Sequence, residues 1–132
     1  MRKAHVAAVA ASLAVGSIAL GAPTPALAQG GDVEAAAGGS CSGSAEWKLK
    51  AKFDDGRIEW EFEVDSNRNG QVWRVRVRDN GHLLLAGKRR THGPSGSFEV
   101  ERKTANRSGK DHLVARAQRG KNGQVCVGRV NL

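Results

Sequence analysis

An all-β fold, a seven-stranded antiparallel sandwich, is what this 132-residue chain predicts. Three observations carry the prediction. Apolar residues recur at every second position through the middle of the chain, turn-forming residues interrupt them roughly every 10–15 residues, and no segment shows a helical apolar stripe.

The first three strands are the clearest. Trp47, Leu49, Ala51 and Phe53 alternate with Glu46, Lys48, Lys50 and Lys52; Ile58, Trp60, Phe62 and Val64 alternate with Glu59, Glu61, Glu63 and Asp65; Trp73, Val75 and Val77 alternate with Arg74, Arg76 and Arg78. Side chains of a strand point alternately to its two faces, so each segment has one face for a core and one for water. Weaker versions of the pattern span residues 82–86, 98–103, 112–117 and 124–130. Between them lie Asp54-Asp55-Gly56, Asn69-Gly70, Asp79-Asn80-Gly81, Pro94-Ser95-Gly96, Asn106-Arg107-Ser108-Gly109 and Asn122-Gly123, all rich in residues that tolerate a positive φ.

Charge suggests the register. A hairpin about Asp54–Arg57 sets Lys52 opposite Glu59, Lys50 opposite Glu61 and Lys48 opposite Glu63, whereas a one-residue slip would turn the Trp and Phe face outward. The third strand has two options. It can extend this ladder, with Arg74, Arg76 and Arg78 against the glutamates, or Ser66–Gln71 can cross to a second sheet where those arginines form the wet face. The crossing is favoured.

The flanks set the compartment. Arg2 and Lys3 precede an uncharged apolar run from Val6 to Leu20; Gly21, Pro23 and Pro25 then break any helix, and Ala26-Leu27-Ala28 offers small residues for a signal peptidase. A run of about 15 residues is short for a bilayer span, which takes roughly 20. The expectation is a signal peptide over residues 1–28, cleaved near Ala28, on the general export route, leaving no stable membrane anchor. No Cys follows the run directly, so lipidation is not expected. Residues 29–40 are Gly- and Ala-rich and read as a flexible lead, with the folded domain over residues 41–132. Cys41 and Cys126 sit at either end of that domain, and an even pair in an exported chain is most simply a disulfide.

The stretches Cys41-Ser-Gly-Ser, Trp47-Lys-Leu-Lys, Asp54-Asp-Gly-Arg-Ile, Glu61-Phe-Glu-Val-Asp-Ser-Asn-Arg-Asn-Gly-Gln, Asp79-Asn-Gly, Pro94-Ser-Gly-Ser-Phe-Glu-Val and Val125-Cys126 resemble a family of uncharacterised small secreted actinobacterial proteins. The resemblance spans nearly the whole mature domain; it implies export and a sandwich but no activity. More loosely, the strand layout is similar to fibronectin type III and immunoglobulin-like domains, with Trp60 on the second strand and Trp73 on the third. There are departures: no Tyr, hence no tyrosine corner, cysteines at the ends of the domain, and no Arg-Gly-Asp adhesion tripeptide.

Catalysis has little to stand on. His82, His92 and His112 lie on separate segments without a second ligand at metal spacing, so no metal or cofactor is expected. Asp111-His112 would diverge on a strand, the serines lie in Gly-rich turns rather than a nucleophile elbow, and Glu59, Glu61 and Glu63 face lysines as a structural ladder. The domain is therefore read as non-enzymatic.

Charge offers the strongest functional hint. Residues 41–65 carry 4 basic and 7 acidic side chains; residues 66–132 carry 15 basic and 4 acidic ones. The candidate anion-binding residues are Lys88, Arg89, Arg90, Arg102, Lys103, Arg107, Lys110, Arg116 and Arg119, with Lys121 and Arg129 nearby in sequence. The expected partner is an anionic wall polymer or other anionic envelope material. No aromatic residue is interleaved with these cations, which argues against nucleic acid. A second reading is a carbohydrate-binding module stacking sugar on an exposed Trp, with Trp47, nearest the domain edge, as the candidate. A third is a ligand or inhibitor of another secreted protein.

Overall fold

Among the described residues, eight strands, all paired antiparallel, build two four-stranded sheets. The computed structural model describes residues 34–132; the expected signal peptide, its cleavage point near Ala28 and the start of the Gly/Ala-rich lead lie outside the described residues. In chain order the strands are β1 (Glu34–Ser40), β2 (Glu46–Asp54), β3 (Arg57–Asp65), β4 (Val72–Asp79), β5 (His82–Arg90), β6 (Ser97–Ala105), β7 (His112–Arg119) and β8 (Val125–Asn131). One sheet runs β1-β2-β3-β6 and the other β5-β4-β7-β8.

The extra strand is β1, and it corrects the flexible-lead expectation for Glu34–Ser40. It pairs with β2 from Glu34↔Lys52 to Ser40↔Glu46, so paired structure reaches back at least to Glu34 rather than starting at Cys41. Its Ala and Gly residues carry little intrinsic strand preference. The free edge of β2 supplies the pairing, and small side chains suit the site. Ala35 and Ala37 pack against the core, and a Cβ on Gly39 would lie 3.3 Å from the Trp47 ring.

The register of β2 and β3 is the expected one: Lys48↔Glu63, Lys50↔Glu61 and Lys52↔Glu59. Asp55-Gly56 closes this hairpin and Asn80-Gly81 closes β4–β5, with φ of 49° and 72° in the first and 47° and 83° in the second. Two successive positive φ values make the turn twist match that of the strands it joins, which is why Asp-Gly and Asn-Gly occupy these sites.

Among the described residues the chain crosses between sheets at Ser66–Gln71, at Thr91–Gly96 and at residues 106–111, and the first two connections hold each other. Ser66 Oγ donates to Gly96 O at 3.0 Å, Gln71 N donates to Thr91 Oγ1 at 2.9 Å, and Gly70 N donates to Thr91 O at 2.7 Å. A Cβ on Gly96 would fall 2.2 Å from Arg68 N, so only glycine permits this contact. β3 thus takes β6 as its second neighbour, and β4 begins the other sheet.

Inward residues of both sheets form one core. Leu49, Ala51, Ile58, Trp60, Phe62, Val64, Phe98 and Val100 come from the first sheet; Trp73, Val75, Val77, Leu113, Ala115, Ala117, Cys126 and Val130 come from the second. The Cys41–Cys126 disulfide joins the end of β1 to β8 across the two sheets. Trp60 Nε1 donates to Thr104 Oγ1 at 3.2 Å, which satisfies an otherwise buried N–H. Thr104→Val keeps the shape but removes the acceptor, and is expected to lower the unfolding free energy by about 1–2 kcal/mol. Urea titration would show this as a lower midpoint with an unchanged slope.

Candidate functional site

The strict alternation of β4 makes the site. Trp73, Val75 and Val77 are buried, so Arg74, Arg76 and Arg78 stand on the opposite, wet face. Cross-strand register then determines their neighbours. Arg74 lies between Lys88 and Gln118, Arg76 between Ala86 and Arg116, and Arg78 between Leu83 and Val114; Val72 lies beside Arg90, and Val114 beside Arg129. Among the described residues, the outer face of β5-β4-β7-β8 therefore presents seven cations, Arg74, Arg76, Arg78, Lys88, Arg90, Arg116 and Arg129, and no carboxylate. Its other positions are mostly short aliphatics: Val72, Ala86, Val114, Val125 and Val127, with Leu83 54% exposed.

The outer face of the first sheet has the opposite character. It carries Lys48, Lys50, Lys52, Arg57 and Lys103 against Glu34, Glu46, Asp54, Glu59, Glu61, Glu63, Asp65, Glu99 and Glu101. Among the described residues the ion pairs lie here, Lys103 Nζ to Asp54 Oδ2 at 2.8 Å and Lys52 Nζ to Glu59 Oε2 at 3.8 Å. The hydrogen bond from Lys103 holds the Asp54 carboxyl below its ordinary range, and the Lys103 ammonium is raised in return. Glu99 and Glu59 shift the other way, Glu99 mainly through desolvation and Glu59 mainly through Glu101. The charge imbalance along the chain thus becomes a polarity between two faces of one domain.

Of the candidate anion-binding residues, Lys88, Arg90 and Arg116 share the cationic face. The other six do not. Arg89 sits half-buried opposite Trp73, because alternation splits the run Lys88-Arg89-Arg90 between two faces. Arg102, opposite Trp60 on edge strand β6, and Arg119, at the end of β7, belong to the inward phase although exposed. Lys103 lies on the acidic face, and Arg107 and Lys110 sit in the β6–β7 connection. Grouping by sequence proximity missed Arg74, Arg76 and Arg78 as binding candidates, although their period of two was the available signal.

Trp60 and Trp73 are core residues, with Trp73 also tilted against Phe98 at 6.3 Å between ring centroids. Trp47 is half-buried. A Cβ on Gly128 would lie 2.6 Å from its six-membered ring, and Gly39 abuts its other edge, so both glycines make room for it.

His82, His92 and His112 are exposed and apart, and Asp111 is buried while its neighbour His112 is exposed. The carboxylates of Asp79 and Asp111 meet instead of pairing with histidines. Asp79 is 1% and Asp111 0% exposed, each continuing the inward phase of its strand, after Val77 on β4 and before Leu113 on β7. Among the described residues, neither Asp111 side-chain oxygen has a hydrogen-bond partner. Desolvation, reinforced by Asp79, pushes the Asp111 carboxyl up to about 6. Backbone carbonyls of Asp111, His112, Lys110 and Leu132 are already engaged by N–H groups, so a proton suits the pair better than a cation needing six or more oxygens. Elsewhere, the carboxylate oxygens of Glu61, Glu99 and Glu101 gather within 4.8 Å of one another on the acidic face, the arrangement among the described residues best able to hold a cation.

No family model, no curated protein and no solved structure matches this chain.

Proposed function

We propose that the domain is a secreted, non-enzymatic binding module that docks the outer face of β5-β4-β7-β8 on anionic cell-envelope material. The observation that carries this reading is the seven-cation face free of carboxylates. Holding Arg76 directly opposite Arg116, with Arg74 and Arg78 alongside, is unfavourable in isolation because like charges repel across a strand pair. An anionic surface removes that cost. The cavity on this face, lined by Arg74, Arg76, Arg116 and Gln118, is small and open, which suits an extended partner rather than an enclosed small molecule. Trp60 and Trp73 are buried and Trp47 is half covered, which leaves a carbohydrate-stacking reading less support.

Finer fold placement belongs to the same proposal. Strands β2, β3 and β6 beside β5, β4, β7 and β8 follow the order of the seven-stranded immunoglobulin-like, fibronectin type III-like sandwich, with β1 added at one edge. The disulfide supports an oxidising, extracytoplasmic compartment.

Co-sedimentation of the mature domain with isolated cell walls tests the function. Bound fraction is expected to fall as salt rises, and Arg74→Glu/Arg76→Glu/Arg116→Glu to weaken binding roughly tenfold or more at low salt. Arg107→Glu/Lys110→Glu lowers net charge away from the face, by two units per substitution as in the face variant, and is expected to have much less effect per substitution. Salt-independent binding, or equal losses in both variants, would count against the cationic face as the docking surface.

A further inference from the structure

We infer that Arg74, Arg76 and Arg116, the last oriented by Gln118, form an oxyanion cradle for the phosphodiester groups of a linear polymer with short aliphatic linkers, lying along β4. The inference rests on the docking face described above and names what that face binds. Those four side chains line one shallow cavity of about 160 Å³ at the centre of the sheet. Register brings them together, with Arg74 opposite Gln118 and Arg76 opposite Arg116. Arg116 Nη1 donates to Gln118 Oε1 at 3.2 Å, so one guanidinium is oriented by a neutral group rather than by a carboxylate. Among the described residues no carboxylate pairs with any of the three arginines.

Guanidinium forks favour phosphate. Their paired N–H groups match two oxygens of a tetrahedral anion, whereas a lysine offers only a point charge. The repeat along β4 points to a polymer: alternate residues of a strand are about 6.7 Å apart, so Arg74, Arg76 and Arg78 present cations at a regular step. Lys88, Arg90 and Arg129 broaden the track on either side.

The floor between the cations identifies the linker. Val72, Ala86, Val114, Val125 and Val127 give low aliphatic bumps without a flat ring, and all three tryptophans belong to the inward phase. Polyol units can lie over such a floor. Nucleic-acid bases would find no platform to stack on.

Calorimetric titration of the mature domain with poly(glycerol phosphate), polyglutamate and single-stranded DNA of matched charge, at one fixed ionic strength, tests the assignment. The parent is expected to bind poly(glycerol phosphate) roughly tenfold tighter than polyglutamate. Arg74→Lys/Arg76→Lys/Arg116→Lys keeps the net charge; it should lose that preference while binding polyglutamate as the parent does, which also reports that the variant is folded. Equal affinity of the parent for the two polymers, or a lysine variant that retains the preference, overturns the cradle and leaves general anionic docking standing. Tighter binding of DNA than of poly(glycerol phosphate) overturns the aliphatic-linker assignment. Failure to bind any of the three overturns both readings.

Discussion

Reducing the Cys41–Cys126 bridge should lower the unfolding free energy by about 4–5 kcal/mol, the largest single loss expected for this domain. The bridge closes a sequence separation of 85 residues, and loop-closure entropy removed from the unfolded chain grows with the logarithm of that length. It also holds a junction that is otherwise secured by hydrogen bonds. Between β1 and β2 the chain turns back at residues 41–45, where Ser42 N donates to Val125 O and Val125 N donates to Ser42 Oγ, both at 2.8 Å. Ala45 N reaches Gln124 Oε1 at 3.0 Å. These bonds join the start of the first sheet to the last strand of the second. Each contributes modestly, about 1 kcal/mol. Thermal unfolding with and without a reductant would measure the effect, as a fall in Tm of roughly 20 °C. Cys41→Ser/Cys126→Ser should match the reduced parent in Tm. A fall of only a few degrees would mean that β1 and the residues 41–45 junction are held by their hydrogen bonds alone.

Asp111→Asn should stabilise the domain at neutral pH, by on the order of 3 kcal/mol at pH 7.5, and hardly change it at pH 4. The Asp111 carboxyl is raised from 3.8 to about 6, first by desolvation and then by Asp79, while His112 opposes the rise only in part. A carboxyl raised on folding favours the native state while protonated. Its contribution is therefore complete below about pH 4 and is lost as pH climbs through 6, where the folded domain must hold the Asp111 charge away from water. Asparagine keeps the shape, removes the ionisation and has an amide N–H to donate to Asp79. The quantity to follow is the difference in unfolding free energy between variant and parent across pH 4 to 8, which cancels pH effects arising elsewhere in the protein. A difference that stays constant across that range would show that Asp111 does not titrate as its burial dictates.

The two-face pattern of each main strand was legible before any coordinates, because period-two alternation requires nothing beyond the residue itself. Trp47 to Phe53, Ile58 to Asp65 and Trp73 to Arg78 fall within β2, β3 and β4. The Lys48, Lys50 and Lys52 pairing with Glu63, Glu61 and Glu59 followed too, since a short Asp-Gly hairpin allows few registers and only one buries the aromatics. β1 was not legible. Glu-Ala-Ala-Ala-Gly-Gly-Ser has neither alternation nor strand preference, and its conformation comes from the open edge of β2 and the space beside Trp47.

The site divides in the same manner. Arg74, Arg76 and Arg78 were recognisable as a wet row, yet a strand does not reveal which strands flank it. Lys88, Arg90, Arg116 and Arg129 join that row through the pairings β4–β5, β4–β7 and β7–β8, while Arg89, Arg102 and Lys103, adjacent to cations in sequence, are carried elsewhere. The meeting of Asp79 with Asp111 is of this kind as well, each inward by its own strand phase but partnered only across the sheet. What the chain alone determined was local: which face of each strand avoids water, where it turns, and that it carries one pair of cysteines, Cys41 and Cys126. Only the tertiary structure decided which charges stand together, because pairing between strands distant along the chain depends on how the whole core closes rather than on any one segment.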